Sequence, residues 1–415
     1  HRVLALNRGE SEGVLKVKIY FDRDLAIRII SSRYIKSQSA LKEYIERACA
    51  DSYDRLIHPS IEREIRAALT EKASAQAIKM FEENLKPLLL QPPVKNKVML
   101  GLDPAYRTGC KIAVVDTTGK VLDTAVVYPT PPQKKTEEAA QVLKQLIYKH
   151  NVDVIAIGNG TASKESEIFI ADLIKTLDKK VNYAVVNEAG ASVYSASKLA
   201  AEEFPQFDVS LRSAVSIARR LQDPLAELIK IDPKAIGVGQ YQHDMPQAKL
   251  SEALGGVLED CVSSVGVDLN TASVSLLSNV AGLNAAIARN IIAYRNEKGM
   301  FKSRQQLLTI DKLGAKTFTQ CAGFLRIRES DNILDNTAVH PESYDAAKKL
   351  LTLFGYSEED VKKGSLAQLP QKINEYGEEN AARHCGVGVP TLKDITQELL
   401  KPGRDIREEL TPIEL

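Results

Sequence analysis

The sequence predicts a multidomain, mainly α-helical protein that contains one α/β domain with a mixed five-stranded sheet. Three observations lead to this prediction. The chain has 415 residues, which at roughly 100–200 residues per domain makes about two to four domains. Strand-like runs rich in Val and Ile cluster in its first half, whereas apolar residues recur at helical spacing on both sides of that cluster. A composition of 44% apolar and 26% charged residues excludes a collagen-like, disulfide-scaffold or wholly disordered chain.

The bulk composition restricts the partners and the compartment. The 55 Lys and Arg residues balance 54 Asp and Glu, which excludes a strongly basic nucleic-acid coat but leaves room for a local basic patch. No apolar run approaches the ~20 residues of a transmembrane helix and no secretory signal is present, so we expect no membrane partner. Five widely spaced cysteines without a CxxC pair suit a reducing cytoplasm and argue against a zinc site. Because the first residue is His1 rather than Met, we expect a fragment of a longer chain.

The first predicted region, residues 1–94, combines short strands with a helical scaffold. The run VLKVKIYF at 14–21 alternates apolar and polar residues, which predicts one of two short extended pieces over 1–22. Residues 40–91 place apolar side chains on one helical stripe. The prolines of LQPPVKNK at 90–97 end this helical region and mark a linker.

The second region, residues 95–232, has the element order βββαβαβα. The turn signal DTTG joins two of its first three strands, which predicts an antiparallel meander. VDVIAIG is almost wholly apolar, as is typical of a covered interior strand. Strands are predicted at 98–103, 111–116, 121–128, 152–158 and 183–188, and helices from near Thr136, over 163–178 and over 192–231. This order predicts a mixed sheet with helices on its faces.

The third and fourth regions, residues 233–329 and 330–400, are both helical but differ in charge. Residues 281–328 carry nine Lys and Arg against two acids, a net charge of +7. Residues 329–415 carry ten Lys and Arg against seventeen acids, a net charge of −7. This change of sign marks a boundary near residue 330 and makes 330–400 an acidic helical domain. The charged, Pro-containing segment 401–415 is predicted to be a linker.

Carboxylates follow two of the predicted strands and one helix. Asp103 ends the first strand in GLDPAYRTG, Glu188 ends the strand YAVVNE, and Asp223 lies in RRLQDPLAEL. Carboxylates at sheet edges hold the paired divalent ions of phosphoryl-transfer enzymes, so these three are candidate catalytic residues. Asp103 and Asp223 are also the candidate metal ligands. Two structural alternatives remain open: Asp103 as a turn-initiating residue, and Asp223 as the N-cap of a helix that begins with Pro224.

Seven segments spread over the chain carry a resemblance to a known family. They are GLDPAYRTGCKIAVVD, IAIGNGTASKE, VNEAGASVYSAS, SLRSAVSIARRLQDPLAELIKIDPKAIGVGQYQHDM, HRVLALNRGE, VGVDLNTAS and AVHPESY. Together they resemble the Tex family, bacterial transcription accessory proteins related to a eukaryotic elongation factor and histone chaperone. The resemblance implies a YqgF-type, RNase H-like domain at 95–232 and a tandem helix-hairpin-helix domain at 233–329. It also implies that an N-terminal helix-turn-helix part and a C-terminal OB-fold RNA-binding domain, to which 401–415 would lead, are missing here.

The resemblance further implies that the carboxylate site is a catalytic remnant. Active RNase H-like resolvases have another acid at the strand end where this chain has Gly158 and Asn159, and their DPG is DPA here, with Ala105. A cage with fewer carboxylates holds divalent ions less well. We therefore expect no firmly bound cofactor, with Mg²⁺ or Mn²⁺ as the ion that the remnant would take. A metal-dependent nuclease of the RNase H-like class is the alternative.

Two segments of the basic region resemble the helix-hairpin-helix motif, whose Gly-hydrophobic-Gly hairpin points backbone N–H groups at a phosphate. The first has Gly282 and then Asn284, a residue that tolerates the left-handed conformation. The second has Lys312 in the first glycine position and keeps Gly314. Such contacts address the nucleic-acid backbone rather than the bases. The candidate nucleic-acid-binding residues are Gly282, Asn284, Arg289, Arg295, Lys312, Gly314, Lys316 and Arg107. The alternative is that the hairpins pack as a scaffold or a protein interface.

The residues and the resemblance together predict a nucleic-acid-binding transcription accessory factor that acts as a scaffold in the cytoplasm. DNA and RNA are the expected partners, RNA polymerase is the expected protein partner, and a monomer is the expected state. A third hypothesis is a protein-interaction hub that works through the acidic C-terminal domain.

Overall fold

The computed structural model describes residues 1–36 and 40–413. The described chain is mainly helical and divides into two compact units. One unit combines residues 1–84 with residues 238–254, and the other unit holds the remainder. No helix within the described residues is long and apolar enough to cross a membrane.

The first unit is built from helices. They are α1 (Arg2–Ser11), α2 (Arg23–Tyr34), α3 (Lys42–Ser52) and most of α4 (His58–Leu89), with a π-helical turn at Tyr53–Ile57 between α3 and α4. The predicted helical region at 40–91 is therefore confirmed over its described residues. The two strands predicted over 1–22 are wrong, because residues 2–11 are helical and residues 15–22 belong to no helix or strand.

Side-chain carboxylates explain how the segment at 15–22 is held without a partner strand. The backbone N–H of Val17 donates to Glu10 Oε1 at 3.2 Å, and the backbone N–H of Ile19 donates to Glu62 Oε1 at 2.8 Å. Backbone donors that would otherwise join a β-ladder are thus satisfied by two acidic side chains. Alternation in the sequence did not reveal that these residues lie beside helices rather than beside a partner strand.

The second unit begins with the predicted mixed sheet. Its elements are β1 (Met99–Asp103), β2 (Cys110–Val115), β3 (Val121–Val127), α5 (Thr136–His150), β4 (Val154–Gly158), α6 (Ser163–Lys175) and β5 (Asn182–Val186). The strand order is β3-β2-β1-β4-β5, in which β1, β2 and β3 are antiparallel neighbours and β4 is parallel to both β1 and β5. The element order βββαβαβ and the mixed sheet are confirmed.

The long helical stretch predicted over 192–231 consists of four short helices. They are α7 (Ala191–Ser195), α8 (Lys198–Glu203), α9 (Val209–Gln222) and α10 (Pro224–Leu228). Ser197, Asp208 and Asp223 start new helices because each side chain accepts a hydrogen bond from a first-turn N–H. Helix α9 covers one face of the sheet at very short range, since a Cβ on Gly101 would lie 2.2 Å from the carbonyl oxygen of Ala214.

The helical hairpins follow α11 (Gln247–Val265), which begins in the first unit and continues in the second from residue 255. The hairpin elements, all in the second unit, are β6 (Val267–Asp268), α12 (Val274–Leu277), α13 (Ala285–Lys298), a 3₁₀ turn at Arg304–Thr309, α14 (Ala315–Cys321) and β7 (Leu325–Arg326). The two-residue strands β6 and β7 pair in parallel. They join the start of the first hairpin to the end of the second.

The acidic domain has five further helices around its own apolar core. They are α15 (Tyr344–Leu353), α16 (Glu358–Lys362), α17 (Leu369–Tyr376), α18 (Glu378–Cys385) and α19 (Val389–Leu400). Arg304 links the hairpins to this domain, because its guanidinium donates to the carbonyl of Leu325 at 2.7 Å and to the carbonyl of Val339 at 2.8 Å. Its side chain is among the largest that are fully buried.

The predicted linker at 401–415 is anchored to the RNase H-like part of the unit. Arg407 lies in a 3₁₀ turn and its side chain is only 4% exposed. Its guanidinium contacts Asp223 Oδ1 at 2.7 Å and Asp405 Oδ2 at 2.9 Å. The pairing with Arg407 and Lys95 outweighs the burial of the Asp405 carboxyl and lowers its pKa to about 2. Residues 405–407 are therefore packed structure, which the absence of sequence periodicity did not reveal.

Candidate nucleic-acid interface and carboxylate site

Asp103 and Glu188 lie close together at the carboxyl ends of the parallel strands. Asp103 ends β1, and Glu188 follows β5 by two residues. Burial, together with the nearby Glu188 charge, raises the pKa of the Asp103 carboxyl to about 6, although the Ser213 hydroxyl and the Lys111 ammonium act in the opposite direction. Glu188 Oε2 is buried and has no hydrogen-bond partner among the described residues. Two carboxylates thus share a poorly solvated space.

The Glu188 carboxylate occupies the space beside the end of β4. A Cβ on Gly158 would lie 2.3 Å from Glu188 Oε2, and one on Gly160 would lie 1.6 Å from Glu188 Oε1. Asn159 supports this placement by accepting the Glu188 backbone N–H at 3.0 Å. The two glycines therefore leave the space that the Glu188 carboxylate occupies, and a side chain at either position would require Glu188 to move. The sequence indicated the missing acid but not the carboxylate that fills its place.

Asp223 does not join this pair. Ser213, which hydrogen-bonds Asp103, lies near the start of α9, and Asp223 comes ten residues later, directly after its end. At 1.5 Å per residue the two positions are about 15 Å apart along the helix axis. Asp223 Oδ1 instead accepts the N–H of Ala226 at 3.2 Å and pairs with Arg407. Its role is the N-cap alternative that the sequence left open.

The geometry does not fit a two-metal centre. No group of three or more His, Cys, Asp or Glu side chains that could hold a metal ion occurs among the residues that the structure describes. The α9 residue that faces Asp103 is Ser213, whose neutral hydroxyl adds no charge to the pair. Among the described residues, Asp103 and Glu188 are the two anionic ligands that remain for a divalent cation. Because they supply few ligands, a cation would bind weakly here. We therefore derive no metal-dependent step from this site.

The unfavourable ionisation of Asp103 predicts a pH-dependent gain in stability for Asp103→Asn. Because the folded-state pKa lies above the ordinary value of 3.8, the ionised carboxylate disfavours the folded state as the pH rises through about 4 to 6. The asparagine retains an acceptor for Ser213 without the charge. We expect the variant to exceed the original chain in free energy of unfolding by up to about 3 kcal/mol above pH 6, measured by urea unfolding.

Asp123→Asn is the matched control for this pH series. Lys149 and His150 hydrogen-bond Asp123 and lower its pKa to about 2, so its ionised form stabilises the fold above about pH 4. This variant should therefore lose stability in the pH range where Asp103→Asn gains it. A gain for Asp103→Asn that is equal at pH 4 and pH 8 would contradict the assigned ionisation.

The two helical hairpins share one backbone geometry. Gly282 and Lys312, in the first glycine positions, both have a left-handed backbone, with φ of +80° and +67°. Asn284 and Gly314, in the second positions, are extended N-caps. The left-handed conformation considered for Asn284 is thus absent, and its side chain instead accepts the N–H groups of Ala286 and Ile287 at 3.0 Å.

Several hairpin N–H groups remain available to a ligand. Gly282, Asn284 and Gly314 are exposed, and their backbone N–H groups have no partner among the described residues. Gly314 has no side chain to cap α14, so the first N–H groups of that helix are also uncapped. The hairpins contact each other through Asn290, which donates to the carbonyl of Asp311 at 3.0 Å. The amides needed for phosphate contact are therefore not consumed by internal packing.

The positive charge at this surface is smaller than the sequence count of +7. Arg304 and Arg326 are buried, and Arg295 donates to the carbonyls of Leu269 and Ala272 at 3.2 and 3.1 Å, so these three support the fold. Arg328 pairs with Asp268 and Lys298 with Glu297. The exposed cations without an ion pair in the described part of this segment are Arg289, Lys302, Lys312 and Lys316. Arg107, also exposed, lies on the loop after β1, apart from the hairpins in sequence.

The fold and these sites define a multidomain protein that combines an RNase H-like domain with helix-hairpin-helix modules. The chain belongs to the Tex family. Four family models match it: Tex central region-like over 1–81, Tex protein YqgF-like domain over 97–222, helix-hairpin-helix motif over 262–326 and HHH domain over 332–407.

Curated relatives match nearly the whole chain. The Bacillus subtilis protein YdcI is 52% identical over 99% of this chain and 57% of its own length. The transcriptional accessory protein Tex of Neisseria gonorrhoeae is 47% identical over 98% of this chain and 53% of its own length. Human S1 RNA-binding domain-containing protein 1 is 40% identical over 97% of this chain and 46% of its own length. The chain thus spans about half the length of these relatives.

Proposed function

We propose that this chain is a nucleic-acid-binding part of a transcription accessory factor and that it contacts DNA or RNA backbones without sequence specificity. The observation that carries the proposal is the pair of hairpins whose exposed Gly282, Asn284 and Gly314 have backbone N–H groups without a hydrogen-bond partner in the described part of the chain, with Lys312 and Lys316 on the second hairpin. Backbone N–H groups and lysine side chains bind phosphates, which are the same in every nucleic-acid sequence. The helix-hairpin-helix match and the name of the Neisseria gonorrhoeae relative support the same function.

We further propose that the RNase H-like domain acts as a scaffold rather than as a hydrolase. The pairing of Asp223 with Arg407 and the neutral Ser213 opposite Asp103 leave two carboxylates where two-metal chemistry requires more ligands. A metal-dependent nuclease remains the second candidate for one reason. Glu188 Oε2 is buried without a partner, and a cation beside it would relieve the repulsion with Asp103.

A salt titration of binding tests the first proposal. Filter binding with duplex DNA, single-stranded DNA and RNA of unrelated sequences should give similar affinities within each class, with log K falling linearly as log salt rises. Absence of binding to all three at low salt would reject it. Incubation of branched and single-stranded substrates with Mg²⁺ or Mn²⁺ tests the second proposal, since cleavage that disappears in Asp103→Asn would establish the nuclease instead.

The proposal retains the expected cytoplasmic location, monomeric state and RNA polymerase partner. The five cysteines are buried and unpaired, which supports a reducing compartment. The acidic domain supplies the surface for the alternative of a protein-interaction hub. Pull-down of polymerase that is unchanged by Lys312→Glu and Lys316→Glu would favour contact through that domain rather than through the hairpins.

A further inference from the structure

The first unit exposes an unusual amount of apolar surface. More than half of the exposed large apolar side chains among the described residues lie within the first 69 residues, which are one-sixth of the chain. Tyr20 is 90% exposed, and Phe21 and Ile29 are 50% and 55% exposed. Scattered apolar residues are normal on a protein surface, but a contiguous set marks a site of interaction.

These side chains border a groove, here called the apolar groove. Its volume is about 400 Å³. The segment at 19–21 and helix α2 form one side, and the π-helical turn with the start of α4 forms the other. The residues that define it are Ile19, Ile30, Tyr53, Ile57, Ile61 and Ile65.

The long side of the apolar groove has the dimensions of a helix-binding site. Ile57, Ile61 and Ile65 line the groove at every fourth residue, and Leu69 continues the same ridge beyond the lining. Twelve residues separate its ends, which corresponds to about 18 Å, or about three helical turns. Ile61, Ile65 and Leu69 are 49%, 40% and 46% exposed, so nothing in the described chain covers the ridge. An amphipathic helix laid in such a groove would bury its apolar face against the ridge.

The charge around the apolar groove indicates which residues should flank the apolar stripe of such a helix. Residues 13–36 carry six Lys and Arg against two Asp, a net charge of +4. Lys16, Lys18 and Arg33 are exposed and have no ion pair in the part of the chain that the structure describes. Glu62, the one acid in the lining, is engaged by the backbone N–H of Ile19. A partner with acidic residues beside its apolar stripe would meet these cations.

We propose that the apolar groove binds an amphipathic helix of a partner protein, with an apolar stripe about three turns long and acidic flanks. A bilayer is a poorer occupant, because membrane surfaces accept projecting apolar faces whereas this site is concave. The proposal is independent of the hairpins and of the carboxylate site. It adds a protein-binding surface to a chain whose proposed ligand is nucleic acid.

A pair of synthetic peptides tests this proposal on the full chain. Both are helices of about 18 residues with the same leucine stripe, one flanked by Glu and one by Lys. Fluorescence anisotropy should show the acidic peptide binding at least roughly tenfold more tightly than the basic one. Ile61→Glu with Ile65→Glu should weaken that binding at least roughly tenfold, and Lys16→Glu with Lys18→Glu should remove the preference for acidic flanks.

The controls distinguish binding in the apolar groove from nonspecific binding to exposed apolar residues. Ile168→Glu changes another exposed isoleucine, which lies on α6 at 55% exposure, and should leave peptide binding unchanged. Equal binding of both peptides, or an equal loss in Ile168→Glu, would overturn the proposal. So would sedimentation that shows a dimer dissociated by Ile61→Glu, or flotation with anionic vesicles that Ile61→Glu abolishes, because the occupant would then be a second copy or a lipid surface.

Discussion

Replacing Arg304 with methionine is expected to lower the free energy of unfolding by about 4 kcal/mol, or roughly 10 °C in Tm. The arginine side chain is 1% exposed, and its guanidinium donates to the carbonyls of Leu325, Thr337 and Val339 and to the Tyr344 hydroxyl. Methionine fills similar space but has no donors, so several buried acceptors would lose their partners together. Thermal unfolding followed by circular dichroism measures the effect.

Two companion variants make the Arg304 experiment specific. Lys302→Met removes an exposed cation two residues away and should change stability by less than about 0.5 kcal/mol. Arg304→Lys keeps the positive charge but loses the planar guanidinium group with its several donors. Its loss of stability should therefore lie between those of Lys302→Met and Arg304→Met. The free energy of unfolding of Arg304→Met could instead lie within about 1 kcal/mol of that of the original chain. In that case the buried hydrogen bonds of Arg304 would not be what joins the hairpins to the acidic domain.

The mixed sheet could be predicted from the sequence because its strands carry a strong local signal. β4 is almost wholly apolar and lies between two parallel neighbours, and the DTTG turn places β2 beside β3. The apolar run of β4 and the DTTG turn each depend on residues close together in the chain. The segment at 14–21 also alternates apolar and polar residues, but no strand lies beside it to pair with. Whether such a partner exists depends on the rest of the fold.

The candidate site was harder to predict because burial and long-range pairing decide its chemistry. Asp223 and Arg407 are 184 residues apart, and their ion pair removes Asp223 from the carboxylate site. Glu188 reaches the end of β4 only because Gly158 and Gly160 have no side chains. Likewise, a charge count cannot show that Arg304 faces inward. Spacing identifies the residue types, whereas the tertiary structure determines which of them face a common ligand.

Charge reversal at the hairpins is expected to have the largest effect on ligand binding. Lys312 and Lys316 are exposed and flank the start of α14, where the backbone N–H of Gly314 has no partner among the residues that the structure describes. Under the proposed function, changing both to glutamate replaces two attractive phosphate contacts by repulsion. We expect the affinity for duplex DNA and for RNA to fall about 100-fold at low salt, and the slope of log K against log salt to fall by about 2.

Lys362→Glu with Lys363→Glu is the matched control, because it changes the net charge equally in the acidic domain, on two exposed lysines. A long-range electrostatic effect would weaken binding in both double variants, whereas phosphate contact at the hairpins predicts a loss only for Lys312 and Lys316. Lys312→Arg with Lys316→Arg should retain affinity, since arginine also binds phosphate. Equal losses in the two glutamate variants, or an unchanged salt slope at the hairpins, would move the binding surface elsewhere in the chain, with Arg107 and its loop as the next position to test.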